Sequence, residues 1–121
     1  MQEKIQPFNI DAERSVLGSM LIDNEAISLV TEYLSKKDFY QKSHKHIFET
    51  IVNIYDKQNS VDLVILKDVL IKHSLLKKAG GVEYIMKLEE SVPLACNAEY
   101  YAKIVQEKSI IRDLIKATKK I

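Results

Sequence analysis

Apolar residues recur at three- and four-residue spacing along nearly the whole chain, and strand-like alternation bounded by turn residues is hard to find. Three glycines (Gly18, Gly80, Gly81) and two prolines (Pro7, Pro93) are the only strong breakers. The pattern predicts an all-α fold, a compact helical bundle of about six helices. The first helix is expected over about residues 10–22. Asn9 or Asp11 can cap it, and Ala12, Val16, Leu17, Met20 and Leu21 form one apolar face. Asp23 and Asn24 break it. A second helix follows, with Ile27, Val30, Tyr33 and Leu34 on one side.

Ser35-Lys36-Lys37-Asp38 has the spacing of a capping box, so one short turn is expected over residues 36–40. Ser43 can cap a third, long helix whose Ile47, Phe48, Ile51, Ile54 and Tyr55 face inward. Residues 56–60 read as a polar turn. Asp62 then caps a helix carrying Leu63, Leu66, Val69 and Leu70. Gly80 and Gly81 stop what precedes them, because glycine accepts the left-handed conformation that a helix end often needs. Val82, Ile85 and Leu88 mark a short helix ending before Pro93.

The last segment differs. No glycine or proline interrupts residues 97–121, and 25 helical residues would span roughly 35 Å. Ile104, Ile111 and Ile115 form one stripe, while Tyr101, Val105, Ile110, Leu114 and Ile121 spread apolar character beyond it. A helix apolar around most of its girth needs more than one packing surface. The segment reads as the first arm of a helical hairpin whose second arm lies beyond residue 121.

Composition narrows the function. The 121 residues make one ordinary domain, and 46% hydrophobic against 29% charged residues describes a folded chain, not a disordered tail. Lysine and arginine number 18 against 17 acidic residues, a formal net charge of +1. A dedicated DNA-binding domain usually carries a marked basic excess, so strong nucleic-acid binding is not expected. The single cysteine, Cys96, permits no intrachain disulfide and no cysteine-based metal cage. No apolar run approaches the roughly 18 residues that span a bilayer, and the start of the chain lacks a signal-peptide core. A cytoplasmic location without membrane attachment is expected.

Candidate chemistry is sparse. Gly80-Gly81 is followed by Val82-Glu83, which lacks the Lys-Ser/Thr end of a phosphate-binding loop. His44 and His46 stand two apart, on different sides of a helix, and cannot share one metal ion. They read as a solvated helix start, with His44 packing partly under the fold. His73 sits near a helix C-terminus, where an imidazolium is favoured. Asp11 with Glu13, and Glu89 with Glu90, are carboxylate pairs by proximity only. Lys116, Lys119 and Lys120 form a basic cluster late in the last helix, read as favourable charge near its C-terminus or as weak nucleic-acid contact. No catalytic residue, cofactor site or metal site is assigned.

The string Asn9-Ile10-Asp11-Ala12-Glu13-Arg14-Ser15-Val16-Leu17-Gly18-Ser19-Met20-Leu21 resembles the opening of DnaB-type replicative helicases, near N-I-E-A-E-x-S-V-L-G-x-x-L. Asp38-Phe39-Tyr40 with His44 and Ile47-Phe48 resembles the family's D-F-Y…H…I-F, and Val61-Asp62-Leu63-Val64 its V-D-L-V. Gly80-Gly81-Val82-Glu83-Tyr84-Ile85, then Val92-Pro93, then Asn97-Ala98-Glu99-Tyr100-Tyr101-Ala102-Lys103-Ile104-Val105 resembles G-G-x-x-Y-[IL]…V-P…N-x-E-Y-Y-A-x-I-V. Each string alone is weak. Their order, from about residue 7 to the end, makes the resemblance specific.

The resemblance implies a non-catalytic N-terminal collar domain. Family members are hexameric ATP-dependent DNA helicases whose RecA-like motor, with its ATP and magnesium, lies C-terminal to this region. The implied partners are the C-terminal helicase-binding domain of primase, other helicase subunits paired as homodimers within a homohexamer, and a helicase loader. By position, Asp11, Tyr84, Ile115 and Ile121 match places where the family engages primase or transmits its effect. Asp11 departs slightly, since glutamate is common there. Tyr84 suits an interface as an exposed aromatic with a hydroxyl, or is a half-buried core tyrosine. Ile115 and Ile121 serve that role or pack within the hairpin. Tyr101, Ile104, Ile111 and Leu114 are candidates for hairpin or dimer packing. The expected organisation is a tail over residues 1–8, a globular helical body over 9–95 and the first hairpin helix over 96–121. The alternative function is a small standalone DNA-binding helical protein.

Overall fold

The structure is a computed structural model that describes residues 6–92 and 97–119. Pro93, Cys96, Lys120 and Ile121, all singled out above, lie outside the described residues.

The first helix, α1 (Ile10–Ile22), is the centre of the fold. The Asn9 side chain accepts from the Ala12 N–H at 2.9 Å, so Asn9 is the cap and Asp11 is not. The expected face of Ala12, Val16, Leu17, Met20 and Leu21 is buried, but so are Glu13, Ser15, Gly18 and Ser19. Helices pack on nearly every side of α1. Burial of Val16, Leu17 and Met20 alone contributes about 2 kcal/mol each.

A turn at Asp23 and Asn24 leads into α2 (Glu25–Tyr33). Asn24 also ties in a distant loop: its Nδ2 donates to the Val61 carbonyl at 2.9 Å and its Oδ1 accepts from the Val61 N–H at 3.0 Å. A short 3₁₀ turn follows over Lys36–Asp38. The Asp38 carboxylate reaches back to the Ser35 N–H at 2.8 Å, the reciprocal bond expected of a capping box.

The third helix, α3 (Lys42–Gln58), departs from expectation at both ends. Ser43 lies inside it; Gln41 occupies the cap position and makes no side-chain cap bond. Residues 56–58 continue the helix, and Asn59 ends it in the left-handed conformation at φ 60°. Helix α4 (Leu63–Lys72) opens on Asp62, whose carboxylate accepts from the Ile65 N–H at 2.9 Å. Helix α5 is a single short turn, Val82–Met86, followed by a 3₁₀ turn over Leu88–Ser91. Ile85 and Leu88 are buried as expected, whereas Val82 is exposed. Gly18 explains how close that 3₁₀ turn comes to α1. A Cβ there would stand 2.4 Å from Val92 Cγ2 and 2.5 Å from the Leu88 carbonyl oxygen.

The last helix, α6 (Ala98–Lys119), lies along α1 and α2. Its buried face is Ala98, Ala102, Val105, Ser109 and Arg112, at alternating four- and three-residue spacing. The isoleucine stripe of residues 104, 111 and 115 is therefore not the docking face. Tyr101 and Ile104 are half-buried against the core, and the rest of the apolar surface faces outward. Tyr33 clasps this helix to α2: its hydroxyl donates to Glu99 Oε2 at 2.5 Å, and its carbonyl accepts from Gln106 Nε2 at 3.1 Å. The described residues are all-α with no strand, and no helix is long and apolar enough to cross a membrane.

Candidate functional site

Two surfaces hold the residues that sequence reasoning selected. The first is built around Tyr84 on α5. Gly80 and Gly81 precede it at φ 110° and 91°, in a region closed to most side chains. At Gly80 the restriction is also steric, since a Cβ would stand 2.7 Å from Tyr84 Cδ2. The ring is half-buried, and its hydroxyl meets His44 Nε2 at 2.5 Å. Behind it, His44 Nδ1 meets Glu13 Oε1 at 2.8 Å. Glu13 also accepts the backbone N–H of Tyr40 at 2.7 Å and of Gln41 at 3.3 Å.

This chain of bonds fixes the tautomer of a neutral His44 ring. An ionised carboxylate only accepts, so the Nδ1 that faces Glu13 carries the hydrogen. Nε2 then presents a lone pair, and the Tyr84 hydroxyl donates to it. Burial raises the Tyr84 hydroxyl above the ordinary tyrosine range, the nearby Arg14 cation pulling the other way. The phenol thus remains a donor at neutral pH.

His44 is therefore not part of a solvated helix start. It is fully buried, and the Glu13 carboxylate beside it is 1% exposed. Sequence reading treated Glu13 as half of an incidental acidic pair with Asp11. The one available signal is its position one residue after Ala12, on a helix covered on nearly every side.

The outer edge of Tyr84 lines a shallow cleft with Arg14, Lys87, Leu88 and Glu90. Asp11 is exposed and ion-paired with Arg14. The structure thus brings Asp11 and Tyr84 to one surface, with Arg14 between them.

The second surface is the outward side of α6. Ile110, Ile111 and Leu114 are 52%, 36% and 60% exposed, and Ile115 is intermediate. Tyr101 and Ile104 belong partly to the body, so the candidates for hairpin packing divide into two groups. Sequence reading missed what anchors this helix. Ser109 Oγ donates to Asp38 Oδ1 at 2.7 Å. Arg112 donates to the Pro7 carbonyl at 2.9 Å and to the Asp38 carbonyl at 2.7 Å, with its guanidinium over the Tyr40 ring.

Burial works against ionisation of Asp38. The Ser109 hydroxyl, the Ser35 N–H and Lys37 together outweigh it and hold the carboxyl below the usual carboxylate range. Among the described residues no group of three or more histidine, cysteine or acidic side chains is placed to hold a metal ion. Lys116 and Lys119 are exposed in the last turns of α6.

The fold is an all-α body with a central buried helix and a long, outwardly apolar last helix. The model of the DnaB-like helicase N terminal domain matches residues 5–107. The chain is 41% identical over 116 residues to the replicative DNA helicase DnaC of Bacillus subtilis (strain 168), covering 96% of this chain and 26% of the relative. It is 40% identical over 119 residues to the replicative DNA helicase DnaB of Geobacillus stearothermophilus, covering 98% and 26%. Among solved structures, the N-terminal domain of DnaB helicase from Mycobacterium tuberculosis superposes with a TM-score of 0.92 at 38% identity, over 96% of this chain and 84% of that one. A structure of a DnaB-like replicative helicase and its interactions with primase gives 0.80 at 27% identity, over 93% and 26%. The chain belongs to the family of DnaB-like helicase N-terminal domains. It spans about a quarter of the length of the curated relatives it matches.

Proposed function

We propose that this chain is the non-catalytic collar domain of a bacterial hexameric replicative helicase, working in the cytoplasm at the replication fork. It pairs with a second copy through the outer face of α6, and it docks the C-terminal domain of primase. ATP, magnesium and a helicase loader act on the motor or on other surfaces of the ring.

The observation that carries the reading is the pair Ile111 and Leu114, left in solvent on a helix already anchored by its opposite face. An exposed apolar face on an otherwise well-packed domain marks a contact surface. Docking of primase is supported by the likeness to a helicase studied with primase. We assign the primase contact to the Asp11, Arg14 and Tyr84 surface. Ile115, and Ile121 outside the described residues, are assigned to the junction between that contact and the hairpin.

Light scattering after size exclusion, with and without the C-terminal domain of the cognate primase, tests the reading. A stoichiometric complex that weakens in both Tyr84→Phe and Asp11→Lys is the expected result. A complex indifferent to both substitutions would remove primase from this surface. No complex, even with the complete helicase, would remove primase docking altogether.

A further inference from the structure

A cleft of about 240 Å³ opens between the segment before α1, the loop at Phe39 and Tyr40, and α6. Its walls carry four cations, Lys37, Lys45, Arg112 and Lys116, together with Gln6. Among the described residues no carboxylate lines it. Two stand at the margin: Asp38 Oδ1 is 3.6 Å and Asp113 Oδ2 is 3.9 Å from Lys37 Nζ. Both therefore lean on the same lysine. Asp38 is further committed to the Ser35 N–H and the Ser109 hydroxyl. Among the described residues Lys45, Arg112 and Lys116 make no ion pair in the cleft.

Two of the cations, Arg112 and Lys45, are held in place. Arg112 is buried and fixed by two carbonyls, with its flat face on Tyr40. Lys45 is half-buried, and its ammonium donates to the Lys37 carbonyl at 3.2 Å. Burial pushes Lys45 below the ordinary lysine range, and the charges of Arg112 and Lys116 push the same way, against Glu13 and Asp38. Like charges gathered in a partly desolvated cleft raise each other's energy, and an anion among them relieves it. The overall charge of +1 conceals this cluster, because the balancing carboxylates lie elsewhere.

We propose that this cleft is a binding site for a phosphoryl group, held by Lys45, Arg112 and Lys116 with the Gln6 carboxamide as a neutral donor. Three cations suit a multiply charged oxyanion better than a single carboxylate, and guanidinium with ammonium is the usual pairing for phosphate. The volume is smaller than the roughly 300 Å³ at which sites for drug-sized ligands begin. It fits phosphate or pyrophosphate, or one phosphate of a longer polymer.

Calorimetric titrations at fixed ionic strength, one with sodium pyrophosphate and one with a short single-stranded oligothymidylate, test the proposal. At least one ligand should bind saturably. Binding should weaken about tenfold in the double variant Lys45→Gln/Lys116→Gln, as loss of charge-assisted bonds predicts. It should be unchanged in Lys72→Gln, a lysine on α4 paired with Asp68. Circular dichroism checks that the variants keep their helices. Saturation by pyrophosphate alone assigns the site to a free polyphosphate; displacement of pyrophosphate by the oligonucleotide assigns it to a nucleic-acid backbone. Absence of saturable binding by either ligand, or equal weakening in Lys72→Gln, overturns the proposal.

Discussion

Glu13 and His44, 31 residues apart in sequence, meet at 2.8 Å in the interior, and neither reaches solvent. The contact joins α1 to α3, and through Tyr84 it continues to α5. The helix-spanning bonds of this one carboxylate also hold the chain at Tyr40 and Gln41, just before α3 begins.

Glu13→Ala would strand His44 Nδ1 and two backbone N–H groups together. The expected loss is about 3 kcal/mol, in the range for breaking a buried polar pair from one side. Glu13→Gln, which keeps an acceptor oxygen, should lose less. Urea unfolding followed by circular dichroism measures both, and equal midpoints for wild type and Glu13→Ala would refute the network's structural role.

Asp38 sets an acid limit to stability. Its folded pKa lies below the value of a free carboxylate, about 4. Its stabilising bonds are therefore fully present above that pH and are lost as pH falls through the lower folded value. Ser109→Ala removes one of those bonds and brings the folded pKa closer to the unfolded one. The variant should lose about 1 kcal/mol at neutral pH and show a shallower fall in stability below about pH 4. Thermal melts across pH 2.5 to 7 read both effects.

Gly18→Ala tests the close approach of α1 to the 3₁₀ turn at Leu88. The added carbon would press on the Leu88 carbonyl, which is backbone and cannot rotate away. A loss of about 2 kcal/mol is expected, although alanine is intrinsically the better helix former. A rise in melting temperature would mean that the 3₁₀ turn yields. Gly80→Ala should be costly as well, through its φ of 110° and the Tyr84 ring.

Substitution on the outer face of α6 should separate stability from assembly. Leu114→Asp alters a residue 60% exposed in the domain, so melting of the isolated chain should shift little. In the complete helicase the same change should weaken subunit pairing, read as a lower mass by light scattering. A strong fall in the melting temperature of the isolated chain would instead place Leu114 in the body.

The helices and most of their inward faces were legible because apolar spacing and capping residues act locally. Asn9, Asp62 and the box at Ser35 and Asp38 marked three helical starts in the sequence. Tertiary partners broke the local rules elsewhere. Ser43 is a good cap by type, but α3 begins earlier, where Glu13 already takes up the preceding N–H groups. On α6 the docking face contains a serine and an arginine, which no hydrophobic pattern selects. Both are there because Asp38 and the Pro7 carbonyl supply partners from far along the chain. The same blindness hid Glu13, which reads as a surface residue until its partner is known, and left His44 only partly under the fold. Of the two candidate surfaces, the resemblance had already grouped Asp11 with Tyr84; what the fold adds is Arg14 between them.

Arg112 binds the carbonyl of Pro7, 105 residues away, and that of Asp38, 74 residues away. A single side chain thus closes two very long loops. The segment leading into α1, the 3₁₀ turn and the later half of α6 share this latch, so none of them opens alone. They form one cooperative unit whose amides should exchange hydrogen together. Contacts of such separation are also among the slowest to form, so the latch closes late in folding. A force that pulls the end of α6 away from the body would therefore be felt first at the opposite end of the chain.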